Sequence, residues 1–440
     1  MDIRQFELAN PWRIGRDWQV PCIPRQMLSR LVEWVDEPEV LVLTGARQVG
    51  KTSIVYQLIS RLMKEHGVAA NDIYYFNLDL PGFADFVAEP ASLLRFLGKL
   101  DRRRVFVFLD EVQRLENPGL LVKGLQDMRL PLKFVLTGSS ALDIRVKTGE
   151  ALTGRKQVFR VHQLSFVEYL EAVGARMPSG PMAPQDAAVY LPELNHHLDS
   201  YATTGGYPAV VLSGDDDKRL ARLTEIYVSY LEKDIAGFLN VGNLTAFRRL
   251  VTLLADQQGG LTNIQELAAT LGIHRETVQR YIEYLEQTFV IRRVTPFFEN
   301  PRTELSKMPK FYFEDQGLRN LGLGSLAPYP QRRDRGQVAE GLVAQYVGAG
   351  LPGSSALHFW RTKSKAEVDF VYGARQSLCA VEVKGGALAR PRLGAGFRSF
   401  LTKYEPPQAF LLNRGLWTTV QHQQTAVHIL PLAVFLARRA

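Results

Sequence analysis

The chain has 440 residues, 46% of them hydrophobic and 22% charged, ordinary proportions for a folded protein with several cores. Two cysteines, Cys22 and Cys379, exclude a disulfide framework and a cysteine-built zinc site, and no apolar run reaches the ~18 residues of a membrane span. The net charge of +8 is concentrated, because residues 331–440 carry 15 Lys and Arg against 6 Asp and Glu, and the rest carry 38 against 39. A basic C-terminal domain of this kind favours a polyanion such as nucleic acid, with a solvated surface as the plain alternative. The eight histidines show no HxH or HxxxH spacing. The opening MDIRQFELANPWR lacks the basic-then-apolar layout of a secretory signal, so a reducing cytoplasm and no membrane partner are expected.

Residues 1–38 carry no motif. From Val40 to Thr137 short apolar runs alternate with amphipathic helices: VLVLT (40–44), DIYYFNL (72–78), RVFVFLD (104–110) and KFVLT (133–137). Continuous apolar runs of this length read as buried parallel strands, and the pattern predicts a doubly wound α/β core with its site at the C-terminal strand edge. After the first run, Gly45-Ala46-Arg47-Gln48-Val49-Gly50-Lys51-Thr52 matches GxxxxGK[ST] in full and opens the helix SIVYQLISRLMKE. Gly45 and Gly50 let the backbone wrap a phosphate. The N–H groups up to Ser53 would point at it, Lys51 would reach the β- and γ-phosphates, and Thr52 would ligate Mg²⁺. Asp110 stands at the exit of the third run, placed to hold that Mg²⁺, and Glu111 beside it would polarise the attacking water. Ser139, after the fourth run, reads as a γ-phosphate sensor or as a helix N-cap. Arg155, in LTGR (152–155), reads as a finger supplied to a neighbouring subunit or as a surface arginine.

From 161 to 322 the pattern turns mostly helical. A helix over 244–258 precedes Ile264–Ile273 and His274–Gln287, in which Ala268, Gly272 and Val278 fall at offsets 0, +4 and +10. That spacing suits a helix-turn-helix, which needs a small residue at the crossing, a glycine-tolerant turn and an apolar anchor. Arg275, Thr277, Gln279 and Arg280 lie on the free face of its second helix, as candidates for DNA contact. FVIRRV (289–294) and KFYFED (310–315) would pair as a wing. Residues 324–336, GSLAPYPQRRDRG, read as a linker. Beyond it, a helix with Glu340 and strands at 357–361, 366–372 and 378–384 place Asp369, Glu382 and Lys384 for a second site, with Glu367 a rival to Asp369.

GARQVGKT, VFLDEVQ, LTGSS, LTGR, QLSFVEYL and Gly205-Gly206-Tyr207-Pro208 together resemble prokaryotic AAA-family ATPases that carry a DUF4143-type C-terminal region. The resemblance implies a AAA+-like core (39–160), a helical lid (161–235), a winged helix (236–323) and, past the linker, a final domain (337–440). It implies ATP with Mg²⁺, a homo-oligomeric ring such as a hexamer, and a phosphate-contacting role for Arg155. It leaves Gln113 without a role. The final domain is similar to the PD-(D/E)xK nuclease fold. There Asp369 and Glu382 would bind Mg²⁺ or Mn²⁺, Glu340 would be an outer ligand and Lys384 would position hydroxide. The Gln-xxx-Tyr element of some such nucleases is missing. The expectation is a DNA-acting ATPase, with a nucleotide-controlled protein-interaction switch as the rival.

Overall fold

The computed structural model describes residues 1–100, 104–139, 151–178, 180, 182–229, 243–297, 308–352 and 355–438. The expected border between lid and winged helix, at 235 and 236, lies outside the described residues. Two units emerge, Met1–His162 with Gln287–Phe289, and Gln163–Glu286 with Val290–Ala440.

The first unit is built on five parallel strands: β1 (Val40–Thr44), β2 (Ile73–Asn77), β3 (Val105–Asp110), β4 (Leu132–Gly138) and β5 (Lys156–Arg160). Their order is β2-β3-β4-β1-β5. β1 and β3 are buried along their whole length, as continuous apolar runs covered on both faces must be. The order puts β3 and β4 next to each other and β4 beside β1, so Asp110, Ser139 and the loop after Thr44 share one sheet edge. β2 is an outer strand whose backbone would be left open. The N-terminal segment closes it: the Asn10 side-chain amide donates to the Tyr75 carbonyl at 2.9 Å and accepts from the Tyr75 N–H at 2.8 Å. A single asparagine thus mimics a paired strand residue and blocks edge-to-edge association. Trp12 and Trp18 pack nearby, on Tyr56 and Tyr75.

In the second unit, Ile264–Leu271 and Arg275–Gln287 are helices joined through Gly272 in the left-handed region. β6 (Ile291–Pro296) and β7 (Lys310–Phe313) pair antiparallel, with Ile291 opposite Phe313. The sheet does not stop there. β6 runs parallel to β8 (His358–Arg361), and β9 (Glu367–Tyr372), β10 (Cys379–Val383), β11 (Gln408–Asn413), β12 (Thr418–His422) and β13 (Thr425–Pro431) complete eight strands in the order β12-β13-β11-β10-β9-β8-β6-β7. The segment expected as a linker is packed rather than free. Tyr329 and Arg332 are buried, and Asp334 takes both Arg332 and the fully buried Arg319. An arginine in an apolar interior needs such a carboxylate, and that requirement pins the connection down. The residues expected as a lid contribute to this unit too: Asn320 donates to the carbonyls of Ala202 and Thr203, closing the helix Ala187–Thr204.

Asp315 ties the GGYP turn to this core. It accepts from the Gly206 N–H at 2.8 Å and, as N-cap of the helix Gln316–Gly322, from the Leu318 N–H at 3.0 Å. Burial pushes its carboxyl up to about 6, against the pull of these backbone donors. A carboxyl raised on folding contributes stability in full below its unfolded value, and that contribution is lost as pH rises through about 6. Asp315→Ala should therefore destabilise the protein by about 2–3 kcal/mol, through a lost cap and stranded donors. The melting-temperature gap to wild type should be wider at pH 5 than at pH 7.5. A gap that widens with rising pH would contradict the assignment.

Candidate functional site

The loop Gly45–Thr52 leaves β1 and feeds the helix Lys51–Lys64. Two glycines make its path possible. A Cβ on Gly45 would meet the Val161 carbonyl oxygen at 2.2 Å, and Gly50 holds φ at +93°, a region closed to most L side chains. Gln48 also adopts a positive φ, so the loop curls as a nest of successive N–H groups requires. Arg25 braces the loop from behind. Its buried guanidinium donates to the carbonyls of Val49, at 2.7 Å, and His162, at 2.6 Å. Lys51 is only 4% exposed and donates to the carbonyls of Gly45 and Ala46. Burial lowers its pKa, while the charges of Glu111 and Asp110 pull the other way.

Asp110, 3% exposed at the end of β3, collects three hydroxyls. Thr52 donates to Oδ2 at 2.7 Å, Tyr75 donates to the same oxygen at 2.7 Å, and Thr137 donates to Oδ1. Burial and the Asp110 charge drive the Tyr75 phenol far above its ordinary pKa, so it stays a donor. The convergence of a Thr hydroxyl and a carboxylate is a hard-oxygen pair suited to Mg²⁺. Glu111 sits in the left-handed region at φ +62°, and its N–H donates to Thr137 Oγ1 at 3.1 Å. The Gln113 amide donates to Glu111 Oε2 and to Ser139 Oγ. Glu111, Gln113 and Ser139 therefore belong to one hydrogen-bonded group beside Asp110.

Arg155 is elsewhere. Its carbonyl accepts from the Val40 N–H at 2.9 Å, which puts it at the start of β1, across the sheet from the loop. Its side chain pairs with Asp127, whose carboxyl it holds below the usual range. The arginine that the register sets opposite Thr44, at the loop end, is Arg160. Sequence reasoning passed over Arg160, Tyr75 and Arg25, since none falls in a motif.

In the second unit, Val278, Ile282 and Leu285 are buried as an anchoring stripe, while Arg275 and Arg280 are exposed and Thr277 and Gln279 half-buried. The helix Arg335–Gly350 carries Glu340 toward the sheet. β9 and β10 are antiparallel neighbours, and β10 runs parallel to β11, reached through the helix Ala395–Tyr404.

This arrangement brings Glu340, Asp369, Glu382 and Lys384 into one cluster. Burial first, and the Asp369 charge second, push Glu340 up to about 8 and Glu382 up to about 7. Burial also raises Asp369. One oxygen of each of the three carboxylates accepts from a protein donor. Val383 N–H donates to Asp369 at 2.7 Å, Lys384 to Glu382 at 2.6 Å, and Tyr312 to Glu340 at 3.1 Å. The second oxygen of Glu382, Oε2, is buried without a hydrogen-bond partner among the described residues. Among the described residues no group of three or more Asp, Glu, His or Cys side chains is arranged to hold a metal ion. The expected metal ligands are thus neighbours but not a metal cage. Lys310 and Tyr312, from β7, join the cluster unforeseen. Buried Lys310 pairs with Glu367, which also takes Arg361, and that commits Glu367 to ion pairing and leaves Asp369 to face Glu382.

No helix among the described residues is long and apolar enough to cross a membrane. The family model described as an AAA domain matches residues 37–170, that of a domain of unknown function, DUF8612, residues 195–327, and that of a domain of unknown function, DUF4143, residues 335–435. An uncharacterized protein of Mycobacterium tuberculosis is 27% identical over 381 residues, covering 86% of this chain and 77% of its own. An uncharacterized protein of Haemophilus influenzae is 25% identical over 313 residues, covering 68% of this chain and 72% of its own. Among solved structures, a Walker-type ATPase of Pyrococcus abyssi aligns at 16% identity and a TM-score of 0.41, over 68% of this chain and 96% of its own. With a complete phosphate loop on a parallel sheet, the chain carries an AAA-type P-loop ATPase domain, and a DUF4143 region follows it in sequence order.

Proposed function

We propose that the protein hydrolyses Mg-ATP and uses the cycle to act on DNA. The observation that carries the first half is the meeting of Thr52 and Asp110 at 2.7 Å beside buried Lys51. ATP would lay its phosphates along the N–H groups from Gly45 to Ser53. Lys51, already stripped of water, would exchange the Gly45 and Ala46 carbonyls for phosphate oxygens. Thr52 and Asp110 would hold Mg²⁺, which supplies charge neutralisation across the β- and γ-phosphates. Glu111 would accept the proton of the attacking water, and Ser139 would contact the γ-phosphate. Arg155 would serve the nucleotide of a neighbouring copy, in a homo-oligomeric ring.

The second half rests on charge and topology. The helices 264–271 and 275–287 with the β6–β7 pair support a winged helix, with Arg275, Thr277, Gln279 and Arg280 toward DNA. The helix Arg335–Gly350, β8, β9, β10, the helix Ala395–Tyr404 and β11 follow the order of a PD-(D/E)xK-type nuclease domain. The acid cluster as arranged favours a grip on DNA over cleavage. Lys384 is 44% exposed, and Arg390, Arg392 and Arg398 follow it, all exposed.

Lys51→Ala should abolish tight nucleotide binding, measured by titration with a fluorescent ATP analogue. Glu111→Gln should keep binding and lower turnover by about 100-fold or more, the scale of a general base. Turnover by Glu111→Gln at the wild-type rate would reject its role. Mixing Arg155→Ala with Lys51→Ala protein should partly restore ATPase activity, since some interfaces regain both an intact loop and an arginine; wild-type turnover by Arg155→Ala alone would remove the finger. DNA binding should weaken steeply between 50 and 200 mM salt, roughly 10-fold or more for a few phosphate contacts. Lys384→Ala should weaken it further. DNA cleavage with Mg²⁺ or Mn²⁺ that is lost in Asp369→Ala would instead show an active nuclease. No DNA binding at low salt would favour a nucleotide-controlled protein-interaction switch.

A further inference from the structure

The DEVQ run leaves one residue without a task. Gln113 lies in the short turn Val112–Arg114 after Glu111. Its side-chain nitrogen donates to Glu111 Oε2 and to Ser139 Oγ, the latter at 3.1 Å. A primary amide nitrogen carries two N–H donors, so the two bonds use both. We propose that Gln113 is a positioning residue that couples the γ-phosphate contact at Ser139 to the water-activating carboxylate of Glu111; this rests on the ATPase reading above.

The polarity of the bridge carries the argument. A serine hydroxyl has one proton to donate and can accept from other groups. Because Gln113 donates into Ser139 Oγ, the Ser139 proton is left for another acceptor, and a phosphate oxygen is such an acceptor. At Glu111 the bond engages Oε2 and, among the described residues, leaves Oε1 with its lone pairs open, as a proton acceptor for water requires. The backbone supports the same geometry. Glu111 is held in the left-handed region while its N–H is fixed on Thr137, and Thr137 in turn donates to Asp110. The main chain of Glu111 is therefore pinned from one side and its carboxylate from the other. Ser139 is buried at the end of β4, two residues beyond Thr137. Movement of the Ser139 hydroxyl toward a γ-phosphate would pull on the same amide that orients Glu111. Hydrolysis would then depend on the presence of the third phosphate, and ADP, which lacks it, would leave the bridge as it stands.

The test uses the full-length protein and separates kcat from binding. Gln113→Glu is isosteric and reverses the bridge, because a carboxylate repels Glu111 and takes the Ser139 proton. Gln113→Leu removes the bridge with little change of volume. Each should lower kcat by about 10- to 100-fold, the scale of a misplaced reacting group, with ATP-analogue affinity within about twofold of wild type. Ser139→Ala should lower kcat as well. The double variant Gln113→Leu with Ser139→Ala should be no slower than the slower single variant within about twofold, since both break one bridge. Wild-type kcat in Gln113→Glu, or fully multiplicative losses in the double variant, would overturn the coupling. Absence of ATPase activity in wild-type protein would sink the hydrolase reading itself and the coupling with it, and the wild-type control shows which has failed.

Discussion

The nucleotide site depends on one buried carboxyl group. Asp110 ends a strand that is covered on both faces, and a polar terminus there must find its partners inside the protein. It finds three hydroxyls from three different places: Thr52 from the loop helix, Tyr75 from β2 and Thr137 from β4. Each bond aligns the element that supplies it. The sheet order makes this possible, because β2 and β4 flank β3. The same requirement reaches the N-terminal segment. Tyr75 is fixed at its backbone by Asn10 and at its ring by Trp12 and Tyr56, so residues that carry no motif hold a residue that orients the motif. Arg25, bracing Val49, extends that support to the loop itself.

The second unit solves a similar problem with charges. Arg319, Asp334 and Arg332 form one ion-paired group, and Lys310, Glu367 and Arg361 form another. Removing one member of such a group leaves an uncompensated charge and costs more than the intact group contributes. Lys310 is the telling case. It comes from β7, about sixty residues before the carboxylate it neutralises, and it exists at that place because β6 pairs with β8 and makes one sheet of two predicted domains. Strand pairing thus determines which cation stands beside Glu340 and Asp369.

Much of the first unit was legible in the sequence. Four apolar runs gave four strands within a residue or two, and GxxxxGKT carried its own conformation through Gly45 and Gly50. What periodicity shows is local. β5 was missed because KQVFR is only partly buried, and the continuous eight-stranded sheet was missed because no local pattern records that Thr295 faces His358. The same reason hid Lys310, Tyr312 and Tyr75, whose partners are 28 residues or more away in the chain. The linker was misread from composition: Pro, Gly and charge do mark loops, yet Asp334 and Arg332 are held there by a buried arginine that composition alone cannot reveal.

Strand direction bears on how many copies the site requires. In a parallel sheet every strand enters at one edge and leaves at the other. The phosphate loop follows the exit of β1, while Arg155 precedes the entry of β5, with its carbonyl on Val40 at the entry of β1. Five residues of strand, about 16 Å at 3.3 Å each, separate those two levels, more than an arginine side chain spans. The Asp127 pair also holds the guanidinium at the entry edge. Arg155 therefore cannot touch the phosphates bound by its own chain without rebuilding the sheet. A role for it at a nucleotide exists only where the entry edge of one copy faces the exit edge of the next. That contact joins unlike surfaces, and contacts between unlike surfaces close into rings when the rotation permits and run on as filaments when it does not. If Arg155 acts at all, the catalytic unit is an interface rather than a chain.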